Sequence, residues 1–198
     1  MPVSVLRPVD SRYLEYDTIG MTRAIALLRG INVGGHNKLP MADLRAMFTG
    51  LGCAAVETYI QSGNVVFEAS AANMRTLAQR ATTQIEASLG LQVPVQIRTG
   101  KQLGAAVAVH PYADTPGEEK LRNIMFLADK PTTKQIKSFE PNCSYGEKFE
   151  LIGREVHVYC PQGQARTKFT SVYVDRALET ISTTRNMRTV NKLLEMIG

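Results

Sequence analysis

Residues 24–31, Ala-Ile-Ala-Leu-Leu-Arg-Gly-Ile, form an almost unbroken apolar run, the pattern of a strand buried in the middle of a sheet. The spacing then turns helical. Met41, Leu44, Met47, Phe48 and Leu51 share one face, Pro40 suits a first turn, and Gly52 suits a left-handed close. Two strands are predicted over residues 56–61 and 64–68, joined by Ser62 and Gly63 as a two-residue hairpin turn. A second helix is expected to open on Asn73 as its N-cap, with Met74, Leu77, Ala78, Ala81, Ile85 and Leu89 along one face and Gly90 at its end. Residues 93–98 read as a strand and residues 101–109 as a further helix.

The same order recurs further on with unlike residues. Strands are predicted over 122–127, 148–152, 155–159 and 181–184, and helices over 132–139, 170–179 and 187–197; Met187, Val190, Leu193, Leu194 and Ile197 form the inward face of the last helix. The fold class is therefore α+β: two tandem ferredoxin-like units, split βαββαβ plaits, each with an antiparallel four-stranded sheet and two helices on one face. The first unit is placed at residues 21–110 and the second, with the C-terminal helix, at 111–198. Residues 1–20 show no sustained period and are expected to be a partly disordered extension. In a plait the first two strands run the same way, so residues 29–38 and 61–64 should meet at one rim of the first sheet.

Composition narrows the setting. The chain has 198 residues, 44% of them apolar, ample for buried cores. No run approaches the roughly 18 apolar residues of a membrane span, and the early residues carry charges where a signal peptide needs an apolar stretch, so a cytoplasmic protein is expected. Cys53, Cys143 and Cys160 are odd in number and form no Cys-x-x-Cys pair, so they read as buried thiols. His36, His110 and His157 lie far apart without metal-ligand spacing, and no metal or cofactor is expected. The net charge of +5 is too modest to identify nucleic acid as a partner.

Three segments, ALLRGINVGGHNKLPMADLR, YIQSGNVVF and TTRNMRTVNKLLEM, resemble the signature segments of the bacterial family known as domain of unknown function 1697 (DUF1697). The resemblance spans residues 21–198. It implies a fold similar to the tandem plait and carries no reaction, since the family's biochemical role is not established. The family usually has Trp after its Arg-Asn pair, where this chain has Met187, so no stacking role is carried over to that position.

The glycine-bearing loop after the first strand fails both nucleotide motifs. Gly30 and Gly35 have P-loop separation, but His36 and Asn37 follow where Lys and Ser or Thr are needed. Asn32 occupies the middle glycine of a dinucleotide fingerprint. What remains is a candidate ligand site for a small anionic or phosphorylated molecule: Arg29, Gly30, Asn32, Gly34, Gly35, Asn37 and Lys38, joined by Gln61, Ser62, Gly63 and Asn64 from the hairpin, with His36 able to change charge near neutral pH. The competing reading is two tight turns in which glycine serves the backbone and Asn and Ser bond their own main chain.

A second candidate anion site is formed by Lys168, Thr184, Arg185, Asn186 and Arg188, with Thr183 beside them, where helix N-H groups and guanidiniums would clamp a phosphate or carboxylate. Its alternative is plain capping by Thr184 or Asn186. Six basic residues stand against two acidic ones between Cys160 and Lys192, either a patch or a solvated surface. Asp114, Glu118 and Glu119 read as a solvated loop rather than an acid/base or magnesium site. Gly-x-Ser-x-Gly is absent and no cysteine has a nucleophile context, so no catalytic constellation is recognised. Phe67, Phe126 and Tyr159 do not form the RNA-recognition pattern, which leaves at most a groove that tracks a nucleic-acid backbone. Three functions stay open: a binder of a small anionic ligand, a sequence-indifferent nucleic-acid binder, and a structural or protein-interaction module.

Overall fold

The computed structural model describes residues 20–198; the predicted extension over residues 1–20 lies, but for Gly20, outside them. The first half runs β1 (Met21–Leu28), α1 (Met41–Gly50), β2 (Ala54–Tyr59), β3 (Asn64–Ser70), α2 (Ala71–Leu89), β4 (Val95–Thr99) and α3 (Gly100–Ala108). The second repeats the order: β5 (Arg122–Leu127), α4 (Thr133–Lys137), β6 (Lys148–Ile152), β7 (Glu155–Tyr159), α5 (Ser171–Leu178), β8 (Ser182–Asn186) and α6 (Met187–Ile197). Two four-stranded sheets result, ordered β2-β3-β1-β4 and β6-β7-β5-β8, with every neighbouring pair antiparallel.

The unbroken apolar run in β1 has a physical cause: the strand is buried on both faces. Ala24, Ala26 and Leu28 pack with Leu44 and Phe48 of α1 and Leu77, Ala81 and Ile85 of α2 in an outer core. Ile25 and Leu27 point the other way into a middle core. There they meet Val66 of β3, Ile124 and Phe126 of β5, Leu103 of α3 and the inward face of α6, including the buried Met187. A third core lies beyond the second sheet, where Met125, Leu127, Val156 and Val158 pack against Phe139, Phe169, Val174 and Leu178. The middle core is thus shared by both sheets, and burial of each large side chain in it contributes about 1.5–3 kcal/mol.

Several boundaries differ from expectation for identifiable reasons. β1 ends at Leu28, because Leu28 N-H donates to Gly63 O (2.8 Å), Arg29 N-H donates to Pro94 O (3.0 Å), and the chain then turns at Gly30. The first hairpin has four loop residues rather than two, since Tyr59 pairs with Asn64. Ile60 and Gly63 both take positive φ there. Gly63 is required for a second reason: a Cβ on it would lie 2.6 Å from Leu28 Cβ. The second half has the two-residue connection that its strand limits predict: Ile152 pairs with Glu155 around Gly153 and Arg154. Asn73 is not the cap of α2. Ser70 is, its hydroxyl accepting from Asn73 N-H at 3.2 Å, while the Asn73 side chain donates to Leu51 O and Gly52 O and closes α1.

The three cysteines are free; Cys53 and Cys160 are buried, whereas Cys143 is only half-buried. Among the described residues no helix is long and apolar enough to cross a membrane.

Candidate functional site

The loop after β1 is closed by its own asparagines. The Asn32 amide donates to Leu39 O (3.0 Å) and its oxygen accepts from Leu39 N-H (2.9 Å), while the Asn37 amide donates to Gly30 O (3.0 Å). Inside this ring Val33, Gly34, Gly35 and His36 form a tight turn, with His36 N-H bonded to Val33 O at 3.0 Å. Both central glycines take positive φ, the combination a type I′ turn requires. The glycines therefore serve the backbone. Gly34, Gly35, His36 and Lys38 face solvent.

The predicted meeting of residues 29–38 with residues 61–64 is present in the fold. The Asn32 amide also donates to Gln61 O at 2.9 Å, which ties the two loops together. Asn64, however, is completely buried, and its amide donates to Tyr59 O and Ser62 Oγ (3.1 Å each). Its oxygen accepts from Arg185 Nε at 2.5 Å.

Arg185 joins the two candidate sites, and this joining is what the sequence did not reveal. The residue is 8% exposed and sits in β8, one position before Asn186. Its terminal nitrogens donate to Leu28 O (2.8 Å), Ser62 O (3.0 Å) and Gly63 O (3.2 Å) of the first half, and to Thr183 Oγ1 (3.0 Å) and Thr184 O (2.8 Å) of its own strand. Every N-H of the guanidinium has an acceptor, none of them charged. Burial without a counterion lowers its pKa to about 10, so it stays a cation at neutral pH. Arg185 is a strut between the halves rather than a free anion clamp.

Arg29 is likewise engaged, bonded to the carboxylate of Asp175 in α5. Asp175 in turn accepts from the N-H and hydroxyl of Ser182, at 2.7 Å each. This partner carried no signal in the sequence, because it stands 146 positions away. Of the second candidate set, Asn186 caps α6 by accepting from Thr189 N-H (2.9 Å), and Thr184 lies in β8 with its hydroxyl against Ser171 Oγ (3.0 Å). Lys168 and Arg188 are exposed and are not brought into contact with Arg185.

What the rim presents outward is apolar as well as cationic. Val33 is 63% exposed, Ile60 50% and Val172 71%. Their segments are held in one frame by the Asn32–Gln61 bond, the Arg29–Asp175 pair and the Arg185 bonds to Ser62 and Gly63. Sequence patterning did not single these three out: Val33 falls in a loop with no period, while Ile60 and Val172 stand at the end of a predicted strand and in the first turn of a predicted helix, where the pattern is weakest.

Elsewhere, burial raises the Cys53 thiol to about 11 and the Cys160 thiol to about 12, so both are protonated and unreactive at neutral pH. In the acidic loop, Glu118 pairs with Lys120 (2.9 Å), Glu119 accepts from the Asn191 amide (2.9 Å), and Asp114 is also engaged. Among the described residues no group of three or more His, Cys, Asp and Glu is gathered as a metal site. Phe67 and Phe126 are fully buried and inaccessible to a stacking base.

Comparison with known proteins agrees with this build. The conserved bacterial protein SP0830 from Streptococcus pneumoniae has a solved structure similar to this one, with a TM-score of 0.68, 25% sequence identity, and coverage of 90% of this chain and 99% of that one. No curated protein matches. The family model described as protein of unknown function (DUF1697) matches residues 21–157, stopping short of β8 and α6. On that match the chain belongs to the DUF1697 family.

Proposed function

We propose that the chain is a recognition module that docks a protein partner on the rim built from the loop after β1, the first hairpin and the start of α5. The observation that carries this reading is the exposure of Val33, Ile60 and Val172 on segments cross-tied by the surface Asn32–Gln61 bond, the half-buried Arg29–Asp175 pair and the Arg185 bonds to Ser62 and Gly63. Three branched aliphatic side chains held in a fixed frame lose little entropy when a partner covers them. Lys38, on the loop after β1, and Lys168, two residues before the α5 cap, add positive charge, so the matching partner presents apolar side chains with acidic neighbours.

The test is a photo-crosslinking residue placed at Val172 in cells, with and without the pair Val33→Asp and Ile60→Asp. A discrete crosslinked protein lost in the double variant supports the reading; the same product persisting in the variant, or no discrete product, refutes it.

A second reading rests on the exposed Gly34–Gly35 turn, which is followed directly by His36 and, three residues on, by Lys38; backbone N-H groups there would bind a small anion. It proceeds without Arg185, whose donors are all engaged within the protein, and without Arg29, whose charge is paired with Asp175. A rise in melting temperature with a phosphorylated metabolite that Lys38→Ala abolishes supports it, and a rise unaffected by Lys38→Ala contradicts it. A nucleic-acid partner would have to track the exposed basic side chains Arg166, Lys168 and Arg188, with binding that falls steeply as salt rises.

We also read each half as a ferredoxin-like plait, with units at residues 21–110 and 111–198. The strand order, first strand central beside the last and third, and the βαββαβ succession support it. Free cysteines suit a reducing, cytoplasmic setting.

A further inference from the structure

Arg98 holds in β4 the place that Arg185 holds in β8: it pairs across its sheet with Ile25 as Arg185 pairs with Ile124, and the next residue caps the following helix. The two differ in how their donors are used. Arg185 has an acceptor for each of its five N-H groups. Arg98 makes three bonds, to Glu155 Oε1 (3.2 Å), Ile97 O (3.1 Å) and Leu127 O (2.7 Å), although it is only 2% exposed. Two N-H groups of a buried cation are thus left without an acceptor among the described residues.

Arg98 also lines a groove of about 310 Å³ between α3 and the β6–β7 hairpin. Arg154 and Gln102 line it too, and Ala105, Val109 and Ile152 supply apolar wall. Arg154 is half-buried and makes one long side-chain bond, 3.4 Å to Ala128 O. Burial lowers the Arg98 pKa, the nearby Arg154 charge lowers it further, and Glu155 offsets this in part. Two guanidiniums and one carboxylate line the groove, and among the described residues the carboxylate of Glu155 is paired with Arg98 alone, so the groove carries one surplus positive charge.

We propose that this groove binds a small monocarboxylate with a short apolar body, its carboxylate bridging Arg98 and Arg154. The planar fork of a guanidinium matches a carboxylate, one negative charge balances the groove, and the Ala105, Val109 and Ile152 wall takes the apolar end. A dianionic phosphate is disfavoured, because its second charge would face Glu155 in the same groove. The site is separate from the rim docking surface, since none of its lining residues belongs to that rim.

The experiment is a titration of the ¹⁵N-labelled protein with butyrate, butyramide and inorganic phosphate, followed by amide shifts. Arg98→Gln risks misfolding, so Arg154→Gln, on the two-residue turn, is the working variant, and an unchanged melting temperature is its control. Expected are saturable butyrate shifts at Gln102, Gly153 and Arg154, no matching response to butyramide, and binding weakened about tenfold or more in Arg154→Gln. The proposal is overturned if those amides do not respond to butyrate, if butyramide or phosphate moves them as strongly, or if Arg154→Gln binds butyrate unchanged.

Discussion

Arg98 and Arg185 cross between the two sheets in opposite directions. The Arg98 guanidinium donates to Leu127 O at the end of β5 and to the Glu155 side chain at the start of β7; that of Arg185 donates to Leu28 O at the end of β1 and to the Asn64 side chain at the start of β3. Each half contributes one arm and one receptor, on either side of a core that neither half completes alone. Removing either arm should therefore be felt in both sheets.

Arg185→Lys keeps the charge but leaves most of the bonds to Asn64, Leu28 and Ser62 unmade, since an ammonium cannot span them as a planar fork does, while Gly63 O keeps the Leu28 N-H. The expected cost is about 3 kcal/mol, read as a lowered urea midpoint with an unchanged slope. A cost within experimental error of zero would show that the cross-half bonds do not matter.

Two glycines separate backbone strain from crowding. Gly30 has φ +66 with open space at its Cβ position, so Gly30→Ala should cost about 1 kcal/mol. Gly63 has φ +73 and a Cβ would sit 2.6 Å from Leu28 Cβ and 2.9 Å from Ile31 Cδ1, so Gly63→Ala should cost about 3 kcal/mol. Equal losses in chemical denaturation would contradict the close approach of the two loops.

A pH dependence follows from His157. Its ring is fully buried, neither nitrogen has a partner among the described residues, and His110 lies edge-on at 4.9 Å. Burial first, and His110 second, lower the His157 pKa to about 3, while an unfolded histidine titrates near 6.5. The unfolded chain therefore takes up the proton first as pH falls. Stability is present above about pH 6.5 and is lost progressively toward about pH 3. His110, also lowered by burial, acts in the same direction. His157→Val, which copies Val66 of the first half, should flatten this loss in unfolding measurements between about pH 7 and about pH 4; a variant as acid-sensitive as the parent would exclude His157.

Much of the build was legible because local signals and global fold agree. The α6 limits are those the periodicity predicts, and the meeting of the two loops followed from strand direction alone. Illegible were relationships between distant positions. Arg185 reads as a cation at a helix start, and nothing near it in the chain names Asn64, 121 positions away, as its partner. One signal was available: an arginine directly before a capping residue recurs at Arg98–Thr99 and Arg185–Asn186, at matching places in the repeat. A cation repeated at the end of two strands that must be buried points to a role in joining the halves. The outward Val33, Ile60 and Val172 could not be read from pattern, because their exposure depends on which surfaces the second half covers.

The most direct test of the joined halves is native-state hydrogen exchange in increasing urea, comparing the slowest amides of β3, such as Val66, with those of β7, such as Val156. The crossed arginines and shared core predict one common opening free energy for both strands, equal within about 1 kcal/mol. Separate plateaus, with one sheet opening while the other stays protected, would contradict it.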